Sequence, residues 1–124
     1  MKALVVDDSM TIRRIVIKAL GLAGINDAAE AGDGMEAVKA LQAGGFDLIL
    51  LDWNMPKMSG IDTLHSIRQA GNKTPVIMVT TEAEKSRVIE AIKAGANDYL
   101  IKPFSPDQLA AKVKNLLGAA APAS

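Results

Sequence analysis

The sequence predicts an α/β fold, with five parallel strands in a doubly wound sheet and helices on both faces. Three observations predict it. Short apolar runs without polar alternation, such as Leu48-Ile49-Leu50-Leu51, suit strands buried on both faces. Stretches with helical apolar spacing separate the runs, so strand and helix alternate five times, as right-handed crossovers between parallel strands require. The strands end abruptly at polar residues, and in an open α/β sheet ligands bind beyond the carboxyl ends of the strands.

The first strand, Ala3-Leu4-Val5-Val6, ends in Asp7-Asp8. From Thr11 the period changes. Ile12, Ile15, Val16, Ala19, Leu20 and Ala23 fall on one face of an amphipathic helix, Arg13, Arg14 and Lys18 take the solvated face, and Gly24 stops it. Residues 25–31 are the weakest strand candidate, Ala-rich with little β-branching, and topology rather than propensity supports them. Asp33, with Glu36 three residues on, can cap a helix over 34–43 that Gly44-Gly45 ends. The central strand then runs to Asp52, and Pro56 prevents its continuation. Ser59 can cap a third helix carrying Ile61, Leu64 and Ile67, with His65 on its polar side. Pro75-Val76-Ile77-Met78-Val79 is the fourth strand, ending at Thr80-Thr81; Thr81 with Glu84 reads as a capping box for a helix over 82–94. Asp98-Tyr99-Leu100-Ile101 is the fifth strand, ending at Lys102-Pro103. Ser105, Pro106 and Gln108 then supply an N-cap, an N1 proline and an N3 glutamine to the last helix. Residues 118–124 have no anchor and are expected to fray.

Composition narrows the function. Lys plus Arg and Asp plus Glu number 14 each, a balance that argues against nucleic acid or an anionic membrane as a bulk electrostatic partner. The absence of cysteine excludes disulfides, thiolate chemistry and Cys zinc sites. No signal-peptide pattern opens the chain, and no apolar run approaches the roughly 20 residues that span a bilayer. A cytoplasmic protein with no membrane insertion is expected, in which this one domain provides the output.

Asp7-Asp8, Asp52, Thr80 and Lys102 all close strands, so a parallel sheet brings them to one edge. Two carboxylates about 4 Å apart repel by roughly 4 kcal/mol at an effective dielectric of 20. Three cluster stably only around a cation or by taking up a proton. Oxygen donors without His or Cys point to a hard metal, Mg2+ before Ca2+ or Mn2+. Such an ion commonly shares its coordination with a phosphate, Lys102 and the Thr80 hydroxyl would complete a cradle for phosphoryl oxygens, and a carboxylate can itself be the nucleophile.

This spaced set, with Pro103 after the lysine, resembles the receiver domain of two-component response regulators over residues 2 to about 117. Within that family, Asp52-Trp53-Asn54-Met55-Pro56 and the last two helical units are most similar to the stand-alone chemotaxis regulators. The resemblance implies a flavodoxin-like (βα)5 sandwich over residues 1–117, followed by a flexible tail over 118–124. It implies that Asp52 accepts a phosphoryl group from a histidine kinase and later loses it by self-catalysed hydrolysis. Asp8, Asp52 and the Asn54 main-chain carbonyl would bind Mg2+ directly, with Asp7 acting through a metal-bound water. Lys102 would pair with the phosphoryl group, Thr80 would donate its hydroxyl to it, and Tyr99 would follow as a switch. Asn54 and Glu82 would tune dephosphorylation. The altered face, formed by the fourth helix, fifth strand and fifth helix, would bind the target, for which a flagellar motor switch protein is the leading candidate, with the chain itself a monomer. The resemblance also implies a cis peptide before Pro103.

Ser9 and Thr81 depart from the chemotaxis pattern, which has an aromatic after the acid pair and a small residue after the threonine. They leave open another phosphorelay or an adaptor role. An Mg2+-dependent phosphohydrolase would need a general acid two residues beyond its nucleophile, where this chain has Asn54. A nucleotide-binding role lacks a glycine-rich phosphate loop after the first strand. Trp53, beside the acceptor, is expected to be a partly exposed ring that reports metal binding.

Overall fold

The computed structural model describes residues 1–120, with side chains through residue 118. The strands β1 (Lys2–Val6), β2 (Asp27–Ala31), β3 (Leu48–Leu51), β4 (Val76–Thr80) and β5 (Asp98–Ile101) alternate with the helices α1 (Met10–Leu22), α2 (Gly34–Gln42), α3 (Gly60–Gln69), α4 (Lys85–Ala94) and α5 (Pro106–Ala120). The strands form one sheet in the order β2-β1-β3-β4-β5, with every pairing parallel. This is the expected flavodoxin-like sandwich. The order reverses between β1 and β3, so the acids that follow those two strands flank the topological switch point.

The side-chain period of two divides each strand between two cores. Leu4, Val6, Ile49, Leu51, Val76, Met78 and Tyr99 point to the face covered by α2, α3 and α4. Ala3, Val5, Leu48, Leu50, Ile77, Val79 and Leu100 point to the face covered by α1 and α5. All four residues of β3 are buried, as a run without polar alternation requires. At the sheet edge, β2 carries exposed Asp27 and Glu30; its pairing with β1 along all five residues supplies what its weak propensity does not.

The caps expected from sequence form at α2, α3 and α5. Asp33, Ser59 and Ser105 accept from the N–H groups of Glu36, Asp62 and Gln108 at 2.8, 3.2 and 3.1 Å. The Ser105 N–H in turn donates to Gln108 Oε1 at 2.9 Å, completing a capping box. The Glu36 carboxylate takes the Gly32 N–H at 2.7 Å instead of that of Asp33. Ser9 caps α1, which begins at Met10, one residue before the periodic run.

Three expectations need correction. No Thr81–Glu84 capping box forms: Glu84 is the N-cap of α4 without a side-chain bond, and the helix begins at Lys85. The Glu82 N–H bonds to the Thr80 hydroxyl at 3.3 Å and the Glu82 carbonyl accepts from the Tyr99 hydroxyl at 2.6 Å, which draws the preceding residues into a loop. On α1, Ile15 is exposed and Ile17 packs against the core instead, while Arg13 turns inward with its side chain 16% exposed. At the C-terminus α5 runs to Ala120, three residues past the expected boundary at 117; the rest of the expected tail lies outside the described residues. No helix among the described residues is long and apolar enough to cross a membrane.

Candidate phosphoryl and metal site

The acids are placed by backbone that continues the sheet ladder past the strands. The Asp7 N–H donates to the Ala31 carbonyl at 3.1 Å, that of Asp52 to Val6 at 3.0 Å, and that of Lys102 to Thr80 at 2.8 Å. Three strand ends are thus locked to their neighbours, and their side chains leave the sheet at one edge. One carboxylate oxygen each from Asp7, Asp8 and Asp52 lies within 4.8 Å of the others. Asp7 and Asp52 are buried and Asp8 is exposed. Lys102 bridges the buried pair, with Nζ at 2.6 Å from Asp7 Oδ2 and 3.5 Å from Asp52 Oδ2. Asp7 Oδ1 also accepts from the Ser9 N–H at 2.9 Å.

This arrangement holds three carboxylates against one ammonium, a deficit of two positive charges. Burial raises the pKa of Asp52 above the ordinary carboxylate value. The Lys102 charge pulls it down, the Asp7 charge pushes it up, and hydrogen bonds from Thr80 and the Trp53 amide lower it. A divalent cation restores the balance, and the all-oxygen donor set fits a hard ion such as Mg2+. The residues present therefore fit that metal.

Thr80 is fully buried at the end of β4. Tyr99 is 8% exposed, and burial pushes its pKa up to about 12, with the Glu82 charge contributing. The chain Thr80, Glu82, Tyr99 is therefore continuous by hydrogen bonds at 3.3 and 2.6 Å. Asn54 is exposed in the loop after Asp52. The peptide before Pro103 is cis, as expected. Trp53 departs from expectation: its ring is only 5% exposed, packed into the core and covered by the Arg87 guanidinium, whose Cζ is 5.4 Å from the ring centroid. His65 is exposed.

Two contributors were not apparent from sequence. Gly60 opens α3 and its N–H donates to the Trp53 carbonyl at 2.7 Å. A Cβ there would overlap the Asp52 carbonyl oxygen and stand 2.8 Å from Trp53 Cα, so only glycine lets α3 begin against the acceptor strand. Arg13 donates to the Asp7 carbonyl at 2.6 Å and to Glu30 at 2.9 Å, bracing the first acid strand from below. A groove of about 340 Å3 between α2 and α3, lined by Val38, Leu41, Ile67 and Asn72 among others, contains none of the candidate residues. The site is a compact charged rim, suited to a small ion and a phosphoryl group.

The chain is similar to known proteins along nearly its whole length. Residues 3–114 match the response regulator receiver domain family. The chain is 46% identical over 121 residues to chemotaxis protein CheY1 of Helicobacter pylori strain 26695, covering 95% of this chain and 98% of that protein. It is 44% identical over 118 residues to chemotaxis protein CheY of Pseudomonas aeruginosa PAO1, covering 94% and 95%. Among solved structures, the receiver domain of Francisella response regulator 1452 superposes with a TM-score of 0.89 at 36% identity, covering 97% of this chain and 98% of that one. Vibrio cholerae chemotaxis protein CheY4 superposes with a TM-score of 0.84 at 39% identity, covering 92% and 96%. An acid cluster at the switch point, a lysine across it and a match along nearly the whole chain lead to one conclusion: the chain belongs to the response regulator receiver domain family and is closely related to the CheY chemotaxis regulators.

Proposed function

We propose that the chain is a phosphorylation-controlled signalling switch that accepts a phosphoryl group on Asp52. The observation that carries this reading is the convergence of Asp7, Asp8 and Asp52 within 4.8 Å under Lys102. An Asp52 carboxylate oxygen attacks the phosphorus of a kinase phosphohistidine. The P–N bond breaks, the imidazole leaves, and an acyl phosphate remains on Asp52. Bound through Asp8, Asp52 and the Asn54 carbonyl, with Asp7 acting through a water, Mg2+ (or Mn2+) would neutralise charge on the phosphoryl oxygens. Lys102, already 3.5 Å from Asp52, moves from its pairing with Asp7 onto the phosphoryl group. The Thr80 hydroxyl turns towards the same group, and Tyr99 and Glu82 follow through their hydrogen bonds. Water attack on phosphorus later releases phosphate and regenerates the Asp52 carboxylate; Asn54 and Glu82, at the rim, set the rate of that step.

The face made by α4, β5 and α5 carries the output. Exposed Ile92 and Ile101 give it an apolar contact area. Similarity to CheY chemotaxis proteins supports chemotaxis, with a flagellar motor switch protein as the target, over another relay. The chain acts as a monomer in the cytoplasm, paired with a histidine kinase.

The test is incubation with acetyl phosphate and Mg2+, followed by intact mass. Gain of one phosphoryl group by the wild type, and none by Asp52→Asn, is expected. Equal labelling of the variant overturns the assignment. Binding of a motor-switch peptide only in the presence of beryllofluoride and Mg2+ would support the chemotaxis output, and indifference to beryllofluoride would remove it.

A further inference from the structure

We propose that Arg87 is a positioning residue that ties the first turn of α4 to the acceptor loop through its stacking on Trp53. This inference rests on the phosphorylation reading above. The hydrogen-bonded route from Thr80 to Tyr99 reaches Glu82 and stops three residues before α4 begins. The N-terminus of α4 has no side-chain cap and no acid in its first turn, so ordinary local devices do not hold it. Arg87 stands in that turn with its guanidinium carbon 5.4 Å from the Trp53 ring centroid, within cation–π range. Its ion pair with Glu90 at 3.4 Å has both side chains 47% exposed and competes weakly.

The other end of the contact is rigid. Trp53 follows Asp52 directly, its ring is 5% exposed in the core, and its carbonyl is held by the Gly60 N–H at 2.7 Å. A change in the Asp52-Trp53 backbone on phosphorylation therefore presents itself to α4 as a displaced aromatic face. The planar guanidinium follows that face and carries the first turn with it. The Trp53–Arg87 contact thus carries the connection from the site into α4, beyond Glu82, where the route through Thr80 and Tyr99 stops.

The experiment is amide hydrogen exchange on the full chain with Mg2+, before and after beryllofluoride, in the wild type, Arg87→Ala, Arg87→Gln and Arg87→Lys. The reporter is the Val88 amide, which bonds to the Glu84 carbonyl at 3.1 Å and closes the first turn of α4. In Arg87→Ala and Arg87→Gln, the beryllofluoride-dependent change at Val88 is expected to shrink by about two- to fivefold, the factor an exposed cation–π contact supplies. Arg87→Lys should recover part of it, and the responses of the Thr80 and Tyr99 amides should survive in all variants. A merely structural role would lower Val88 protection equally with and without beryllofluoride, leaving its response intact, and that result overturns the proposal. A wild type that shows no beryllofluoride response at Thr80 or Tyr99 overturns the phosphorylation reading instead, and this inference with it.

Discussion

Asp52→Asn should stabilise the metal-free protein, although it removes the acceptor. At an effective dielectric of 20, Asp52 gains about 5 kcal/mol from Lys102 at 3.5 Å and loses about 3.5 kcal/mol or more to Asp7, one of whose oxygens lies within 4.8 Å of it. Asp8 is exposed, so water screens its repulsion to about 1 kcal/mol. These pair interactions nearly cancel, and what remains is the cost of holding a carboxylate at 6% exposure, only partly offset by the Trp53 amide and the Thr80 hydroxyl. Replacement by the neutral isostere should therefore gain about 2 kcal/mol, or about 7 °C in Tm for a domain of this size. Saturating Mg2+ at about 100 times its Kd should restore about 2.7 kcal/mol to the wild type and much less to the variant, which lacks a ligand oxygen charge. The pH dependence follows from the raised pKa of Asp52. Between that raised value and the ordinary carboxylate value, the native state binds a proton that the unfolded chain has released. Metal-free wild type should therefore gain stability as pH falls through this window, and Asp52→Asn should lack that gain. Thermal unfolding by circular dichroism, with chelator and with Mg2+, measures all three. A variant less stable than wild type in chelator, or one stabilised equally by Mg2+, would refute the reasoning.

Other parts of the structure give further expectations. Gly60→Ala should destabilise by about 3 kcal/mol in urea unfolding, because its Cβ meets Asp52 and Trp53 backbone that cannot give way. Unchanged stability would show that α3 can shift without cost. Arg68 donates to the carbonyls of Asn72, Thr74 and Gly95 at 2.9, 2.8 and 2.8 Å, so Arg68→Met should cost about 3 kcal/mol while leaving acetyl phosphate labelling of Asp52 intact. Tyr99 should ionise at about 12 in a phenolate absorbance titration, and its contribution to stability should fade as pH rises from about 10 towards that value, because the native state keeps the proton longer. A midpoint near that of free tyrosine would place the ring in solvent.

Much of this was legible because it is written locally. Leu48 to Leu51 show by the lack of alternation that both faces are covered, and an acid directly after such a run has nowhere to go but the strand end. The serine and aspartate caps are likewise three-residue signals. Legibility failed where a residue is used by something distant in sequence. Thr81 and Glu84 carry a valid local cap pattern, but Tyr99 and Thr80 claim the backbone between them. Arg13 looks like any solvated helix charge until β2 brings Glu30 beside it. Trp53 gives no sign in sequence that Arg87 will cover it. Gly60 carries no signal of its own in the sequence, and the need for it appears only when a Cβ is placed against the neighbouring strand.

The sheet is open at both ends, with β2 and β5 as its borders. Unpaired backbone along a border is a template on which a stray strand from another molecule can add. This protein guards the two borders differently. Asp27 and Glu30 put two negative charges on β2, so an incoming copy of the same strand meets its own charge. β5 is only four residues long, and Lys102-Pro103 ends it at once, leaving too short a ledge to propagate a fibre. Replacing Glu30 with valine removes one of the two charges that guard β2 and should make the chain more prone to precipitate.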